Sequence, residues 1–312
     1  MHLWICGLAK TGGADLMSKI EDALEKAKKS RESGSAQLTV VGNNQVVTDT
    51  KSKGLDKIPG QENDAIQRVS YSKEIMLMDD GKIRDNKELS ELKIIYSEMN
   101  DTKVANTFRD LRTKLIHASK GKNFIAMITS CYSGENSSSV TINLATAFSF
   151  DESKTSLIID CNLSNPTIDK MLGLDANIGL TDYLENEDTK VDDTLCKTGI
   201  KRMKVIPAGT SIENTVEYFT SARIRNMMQE ILNRYSDRYV FLEAAPITES
   251  ADSRILMDLC DYVILTVPYG RVTKRKVQDA AEAIGDKLLG VVFNEVPKPP
   301  RFKIPGTGRS NT

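Results

Sequence analysis

Residues 124–145 read FIAMITSCYSGENSSSVTINLA, and their reading decides the fold. An apolar run, Phe124–Ile128, leads into a small polar loop over 129–137. A helical pattern follows, with Ile142, Ala145, Thr146 and Ser149 on one face. Strand, Gly-containing loop and helix is the layout of a phosphate-binding loop. Such a loop uses backbone N–H groups to cradle phosphate, a Lys for the terminal phosphates and a Ser or Thr hydroxyl for Mg²⁺. Here the layout is present and the lysine is missing.

Downstream of this stretch, strand and helix signals alternate. Strands are expected at 124–129, 155–160, 203–207, 239–243, 261–267 and 288–294. Helices are expected at 138–150, 167–172, 179–185, 215–235, 250–259 and 273–285. Runs such as TSLII (155–159) and YVILTV (262–267) are apolar and β-branched, as suits a sheet buried on both faces. The pattern predicts an α/β fold, a mostly parallel sheet flanked by helices. Upstream, Phe108, Leu111, Leu115 and Ile116 recur at helical spacing within 101–119.

The first hundred residues are less ordered in pattern. Residues 1–16 read as a poorly structured start, with Met17 as a candidate initiator. Ile20, Ala23, Leu24 and Ala27 form a narrow apolar stripe on a helix over 18–32, opened by the capping pair Ser18 and Glu21. Residues 34–100 read as linker and irregular chain, with a weak hairpin signal at 38–48. The tail, 297–312, is rich in proline and poor in apolar residues, and is expected to be disordered.

Composition narrows the function. Among 312 residues, 42 Lys and Arg balance 43 Asp and Glu, so no global field points to nucleic acid. The five cysteines are scattered and lack a C-x-x-C, which argues against disulfide and zinc frameworks. Only His2 and His117 are available for histidine chemistry. No apolar run approaches the length of a membrane span, so the expected location is cytoplasmic, with recruitment to the inner face of the membrane by a partner.

In a parallel sheet, ligands sit at the carboxyl ends of strands. Asp160-Cys161-Asn162 and Glu243-Ala244-Ala245 fall there, beside the 129–139 loop. These residues carry a resemblance. From about 104 to 296 the chain resembles the bacterial tyrosine kinase (BY-kinase) family of capsule and exopolysaccharide systems, a ParA/MinD-like branch of P-loop proteins. VANTFRDLRTKL (104–115) looks like the family's helix before the first strand. Residues 129–145 fall on its Walker A segment, LIIDCNLSNP (157–166) on its A′ motif, and 240–246 on Walker B. Gly173-Leu174, GLTDYL (179–184), VIPAG (205–209), the helix at 217–225 and GVVFNEV (290–296) follow in the family's order. MSKIEDAL (17–24) is also similar to the opening of an exopolysaccharide-linked subgroup.

The resemblance implies ATP and Mg²⁺ as cofactors. It places Gly134, Glu135, Asn136, Ser137, Ser138, Ser139 and Asn294 at the nucleotide, and Ser138, Asp160 and Glu243 at the metal. The departures fall among these residues. Ser137 stands in the lysine's place, and Asn136 in that of a glycine. Asn162 replaces a second Asp of the A′ motif, and Glu243 replaces the Walker B Asp. No tyrosine follows Tyr269, so the family's C-terminal tyrosine cluster is absent. In the family's ring-closing helix motif, Asn106 takes the carboxylate's place, while Arg109 and Arg112 remain as candidate interface residues.

The expected function is therefore that of a degenerate family member acting in exopolysaccharide synthesis or export. Its expected partner is a membrane polysaccharide chain-length regulator or an active kinase paralogue, with a homo-oligomer as a further assembly. The alternatives are an active ATP-dependent tyrosine autokinase and a ParA/MinD-like ATPase. The latter would carry an extra Lys near the loop's start, and residues 130–133 contain none. The expected organisation is an N-terminal segment (1–33), a linker (34–100), a P-loop domain (101–296) and a tail (297–312).

Overall fold

Short runs of Val, Ile and Leu become the strands of one sheet in the computed structural model, which describes residues 4–6, 78–99, 102–133, 137–210, 215–234 and 238–294. The strands are β1 (Trp4–Cys6), β2 (Ile125–Ser130), β3 (Thr155–Asp160), β4 (Cys196–Lys197), β5 (Met203–Ile206), β6 (Arg238–Glu243), β7 (Tyr262–Pro268) and β8 (Leu288–Asn294). Their order is β1-β8-β7-β2-β6-β3-β5-β4. The six strands from β8 to β5 run parallel, and the edge strands β1 and β4 pair antiparallel. This is the mostly parallel sheet that the alternation predicts. All strand carboxyl ends of the parallel set meet at one edge.

Side-chain alternation builds a core on each face. Met127, Leu157, Ile159, Val240 and Leu242 point to one. Ala126, Ile128, Ile158, Tyr239 and Phe241 point to the other. Helices α7 (Ala222–Arg234), α8 (Ala251–Met257) and α9 (Lys274–Ile284) cover the first face; α2 (Thr102–Ala118) and α3 (Ser137–Ser149) cover the second. Every residue of α3 is buried, so this helix lies between the sheet and α2. Beneath it Phe124, Phe148, Tyr239 and Phe241 form a ring cluster with centroids 4.7–6.1 Å apart, a range in which aromatic pairs attract.

Three differences from the sequence reading have physical causes. The helix expected over 215–235 is two helices, α6 (Thr215–Thr220) and α7. Ser221 separates them: its hydroxyl donates to Tyr218 O at 2.7 Å and accepts from Ile224 N, capping α7. Trp4–Cys6, within the stretch expected to be unstructured, pairs with Val291–Phe293. Finally, residues 78–99 are not merely irregular linker. They include α1 (Asn86–Glu91), capped by Asp85 and Glu88, and place Leu89, Ile94 and Ile95 in the core. Arg84 clamps this strap by donating to Thr198 O and Leu172 O. Asn143 of α3 accepts from Ile95 N at 2.8 Å and donates to Lys93 O. The helix at 18–32, the hairpin at 38–48 and the tail at 297–312 lie outside the described residues.

The GLTDYL and VIPAG blocks meet in space. Leu180 N and Thr181 N, at the start of α5 (Leu180–Glu185), donate to Pro207 O and Ala208 O. A Cβ on Gly179 would lie 2.4 Å from both Gly209 N and Pro207 O, and Gly209 has φ +98°. Both positions therefore require glycine. Gly179→Ala is expected to destabilise the fold by about 1–3 kcal/mol or more, the range for overpacking against backbone that cannot shift. Urea unfolding monitored by circular dichroism measures it, and an unchanged midpoint would refute the close approach.

Candidate functional site

The site is assembled where β2, β3 and β6 end together. Register places Glu243 beside Ile128 of β2 and Asp160 of β3, and both carboxylates are wholly buried. Helix α3 starts directly above them. Its first two turns offer three hydroxyls to Glu243. Ser137 Oγ donates to Oε1 at 2.5 Å, Ser138 Oγ donates to Oε1 at 2.9 Å, and Thr141 Oγ1 bonds Oε2. Thr167, just before α4 (Ile168–Leu172), extends the network: its Oγ1 is 2.5 Å from Ser138 Oγ. A hydroxyl has one proton. With Ser138 donating to Glu243, Thr167 is the donor to Ser138.

Asp160 is held differently. It accepts backbone N–H bonds from Asn162, Thr167 and Ile168 at 3.1–3.2 Å. Those bonds favour the ionised form, but burial outweighs them and raises the carboxyl to about 6. Burial acts more strongly on Glu243. It pushes that carboxyl up to about 8 despite the hydroxyl bonds, and the neighbouring Asp160 adds to the rise. A protonated Glu243 also satisfies the network. Its Oε2 proton goes to Thr141 Oγ1, and the Thr141 proton to Ser137 O at 3.3 Å.

The expected residues are thus partly brought together. Ser137, Ser138, Asp160 and Glu243 form one buried cluster. Ser139 lies buried on α3, where its carbonyl accepts from Asn143 Nδ2. Asn162 is half-buried, and its side-chain oxygen accepts from Ser164 Oγ. Asn294 is buried at the end of β8, separated from β2 by β7. Gly134, Glu135 and Asn136 lie outside the described residues. Arg109 donates to Asn106 Oδ1 and Ser97 O, and lies 5.6 Å from the Phe150 ring centre. Arg112 donates to Ala147 O near the end of α3. Both interface candidates are engaged within their own chain.

Thr141, Thr167 and Glu249 were not singled out from the sequence. Thr141 follows Ser137 by four residues, which alone puts it on the same helix face. Glu249 accepts from both Ser133 N and Ser133 Oγ. Nothing in the spacing of 133 and 249 announces that contact.

In this cluster Ser138 and Asp160 would hold a Mg²⁺–nucleotide, and the bonds to Glu243 compete with that role. A divalent cation needs oxygen lone pairs and a charged carboxylate. Here the hydroxyl protons of Ser137, Ser138 and Thr141 point to Glu243, whose burial favours its neutral form, while the hydroxyl lone pairs and the Asp160 carboxyl, ionised above about pH 6, are the groups that would face a cation. Among the described residues no group of three or more His, Cys, Asp or Glu is placed to hold a metal ion.

Comparison with known proteins places this geometry. No family model matches the chain. It is 30% identical over 209 residues to the tyrosine-protein kinase CpsD of Streptococcus pneumoniae, which covers 66% of this chain and 90% of that protein. The chain belongs to the bacterial tyrosine kinase family. Another family member, the tyrosine-protein kinase YwqD of Bacillus subtilis, is 29% identical over 202 residues, or 63% of this chain and 84% of the relative. The crystal structure of the chimerical protein CapA2B2 superposes with a TM-score of 0.60 at 26% identity, covering 74% of this chain and all of the other. The family's P-loop fold is thus retained.

The raised carboxyls set a pH dependence. Folded Glu243 holds its proton up to about pH 8, whereas the unfolded group releases it near 4.5; for Asp160 the corresponding values are about 6 and 3.8. Between these limits the native state binds more protons than the unfolded state. Stability therefore falls as pH rises, and levels off above about 8. Melting temperatures in EDTA-containing buffers should show this decline. Glu243→Gln should flatten it above about pH 6, leaving the lower part to Asp160. A melting temperature that rose over this interval would contradict the assignment.

Proposed function

We propose that this chain is a non-catalytic member of the bacterial tyrosine kinase family, acting as a regulator or scaffold in exopolysaccharide or capsule synthesis or export. The observation that carries the reading is the Glu243 cage. The side chain in the lysine's place, Ser137, is turned onto the carboxyl in the Walker B place. A hydroxyl supplies no positive charge to phosphate. Losing one charge-assisted bond weakens ground-state binding by about 1.5–3 kcal/mol, and loss of a positioned electrostatic donor slows a chemical step by about 10²–10³. Asn162, an amide, is no proton acceptor for a tyrosine hydroxyl. Residues 270–312 contain no tyrosine.

In this reading the P-loop domain surface, or the segment at 18–32, docks on the cytoplasmic end of a membrane chain-length regulator or on an active kinase paralogue. Homo-oligomerisation through α2 is the accompanying assembly. Membership of a kinase family supports the competing reading, an active autokinase with substitute residues.

Incubation with Mg-ATP followed by anti-phosphotyrosine blotting separates the two. No signal is expected. A strong signal that disappears in Ser138→Ala would overturn the proposal. Titration with a fluorescent nucleotide should show weak or no binding. The double variant Asn136→Gly with Ser137→Lys is expected to tighten it by at least about tenfold, the equivalent of one charge-assisted bond.

A further inference from the structure

The contacts between β2 and β6 do not stop where the strands end. Ala244 N donates to Ile128 O at 3.0 Å, and Ile247 N to Ser130 O at 3.1 Å. Thr248 Oγ1 then donates to Cys131 O. Arg254 of α8 backs this segment by donating to Ile247 O and Thr248 O. Last in the series is Glu249, whose Oε2 accepts from Ser133 N at 3.1 Å and from Ser133 Oγ at 2.5 Å. The start of the phosphate loop is thereby zipped to the chain that follows β6.

Glu249 and Ser133 are both exposed. No burial cost obliges that carboxylate to find donors, so packing does not account for the pair. Chemically it is an anion seated on a backbone N–H of the loop whose layout is that of a phosphate cradle. A bond from N–H or O–H to a carboxylate is charge-assisted and about twice as strong as a neutral one. A cavity of about 460 Å³ opens beside the pair, against α8 and α9. Its charged lining is balanced, with Arg254 and Lys276 against Glu249 and Asp279. Lys276 also lies 5.0 Å from the Tyr132 ring centre. Without the charge of Glu249 the lining is left with one net positive charge, beside an N–H and a hydroxyl that need an acceptor. Those are the groups that hold an oxyanion.

We infer that Glu249 is a built-in competitor for phosphate: its carboxylate latches Ser133 and keeps phosphate-like oxyanions from the start of the loop. An entering oxyanion must displace the carboxylate, so opening the latch and filling the seat are one event. The inference rests on the phosphate-loop layout and on the bonds of Glu249, and not on whether the chain is catalytic.

The full chain tests it, without nucleotide or Mg²⁺. In Glu249→Ala, hydrogen exchange at the Ser133 amide, resolved by mass spectrometry with fragmentation, is expected to rise at least about tenfold, the equivalent of one charge-assisted bond. Calorimetric titration with inorganic pyrophosphate is expected to show binding at least about tenfold tighter than in the unaltered chain. Glu249→Gln keeps the length and an acceptor oxygen but not the charge, and should fall between the two. Unchanged exchange in Glu249→Ala would overturn the latch. Faster exchange with unchanged pyrophosphate affinity would reduce the contact to loop packing and overturn the competition. A Glu249→Gln chain equal to the unaltered one in both measurements would also overturn it, because the charge would then count for nothing. The phosphotyrosine blot that decides the non-catalytic reading uses Mg-ATP, so the two proposals fail separately.

Discussion

The structure turns on one buried carboxyl. Glu243 lies at the end of a central strand, wholly removed from water, with a second carboxyl on the neighbouring strand. An isolated buried charge is prohibitively unfavourable. Hydroxyls answer it. Ser137, Ser138 and Thr141, on the first two turns of α3, converge on its two oxygens. The extra methylene of Glu relative to Asp is what reaches them. It carries the carboxyl up to the start of the helix. Ser137 is thus a donor without charge, facing an acceptor that is long enough to meet it.

The surroundings hold this arrangement in place. Helix α3 is buried along its whole length, and its last carbonyls are taken by arginines: Ala147 O by Arg112, and Ser149 O by Arg202. Positive groups at a helix C-terminus complement its dipole. Arg112, expected to serve an interface, thus stabilises the helix that carries the site. The loop after β6 is pinned too, since Ala245 O accepts from both Thr129 Oγ1 and Ser253 Oγ.

Much of the fold was legible because its signals are strong and local. Apolar β-branched runs bounded by polar turns marked all six parallel strands, and their observed bounds differ from the expected ones by one residue or so. The break at Ser221 was missed because a capping serine does not interrupt the apolar period on either side. The two-residue strand β4 is too short for any periodicity. The strap over 78–99 was missed for a different reason. Leu89, Ile94 and Ile95 are buried by long-range packing, and the spacing of the segment follows neither a helix nor a strand. At the site, the cluster's members were legible from their place in a resemblance. Their mutual bonding was not, because a hydroxyl at an expected metal position reads the same whether it faces a cation or a carboxyl.

The strap has an architectural consequence. Arg84 fastens it to the turns at 172 and 198–199, and Asn143 fastens it to the middle of α3. The same Asn143 side chain bonds Ser139 O in that helix's first turn. The route from the preceding seventy-odd residues into the domain therefore does not end at a remote corner. It ends one helical turn from the serines that hold Glu243. A fragment trimmed at the start of α2 would strip Ile95 from that asparagine and open the second core beneath it. The strap over 78–99 is thus part of what holds the phosphate-loop helix in place.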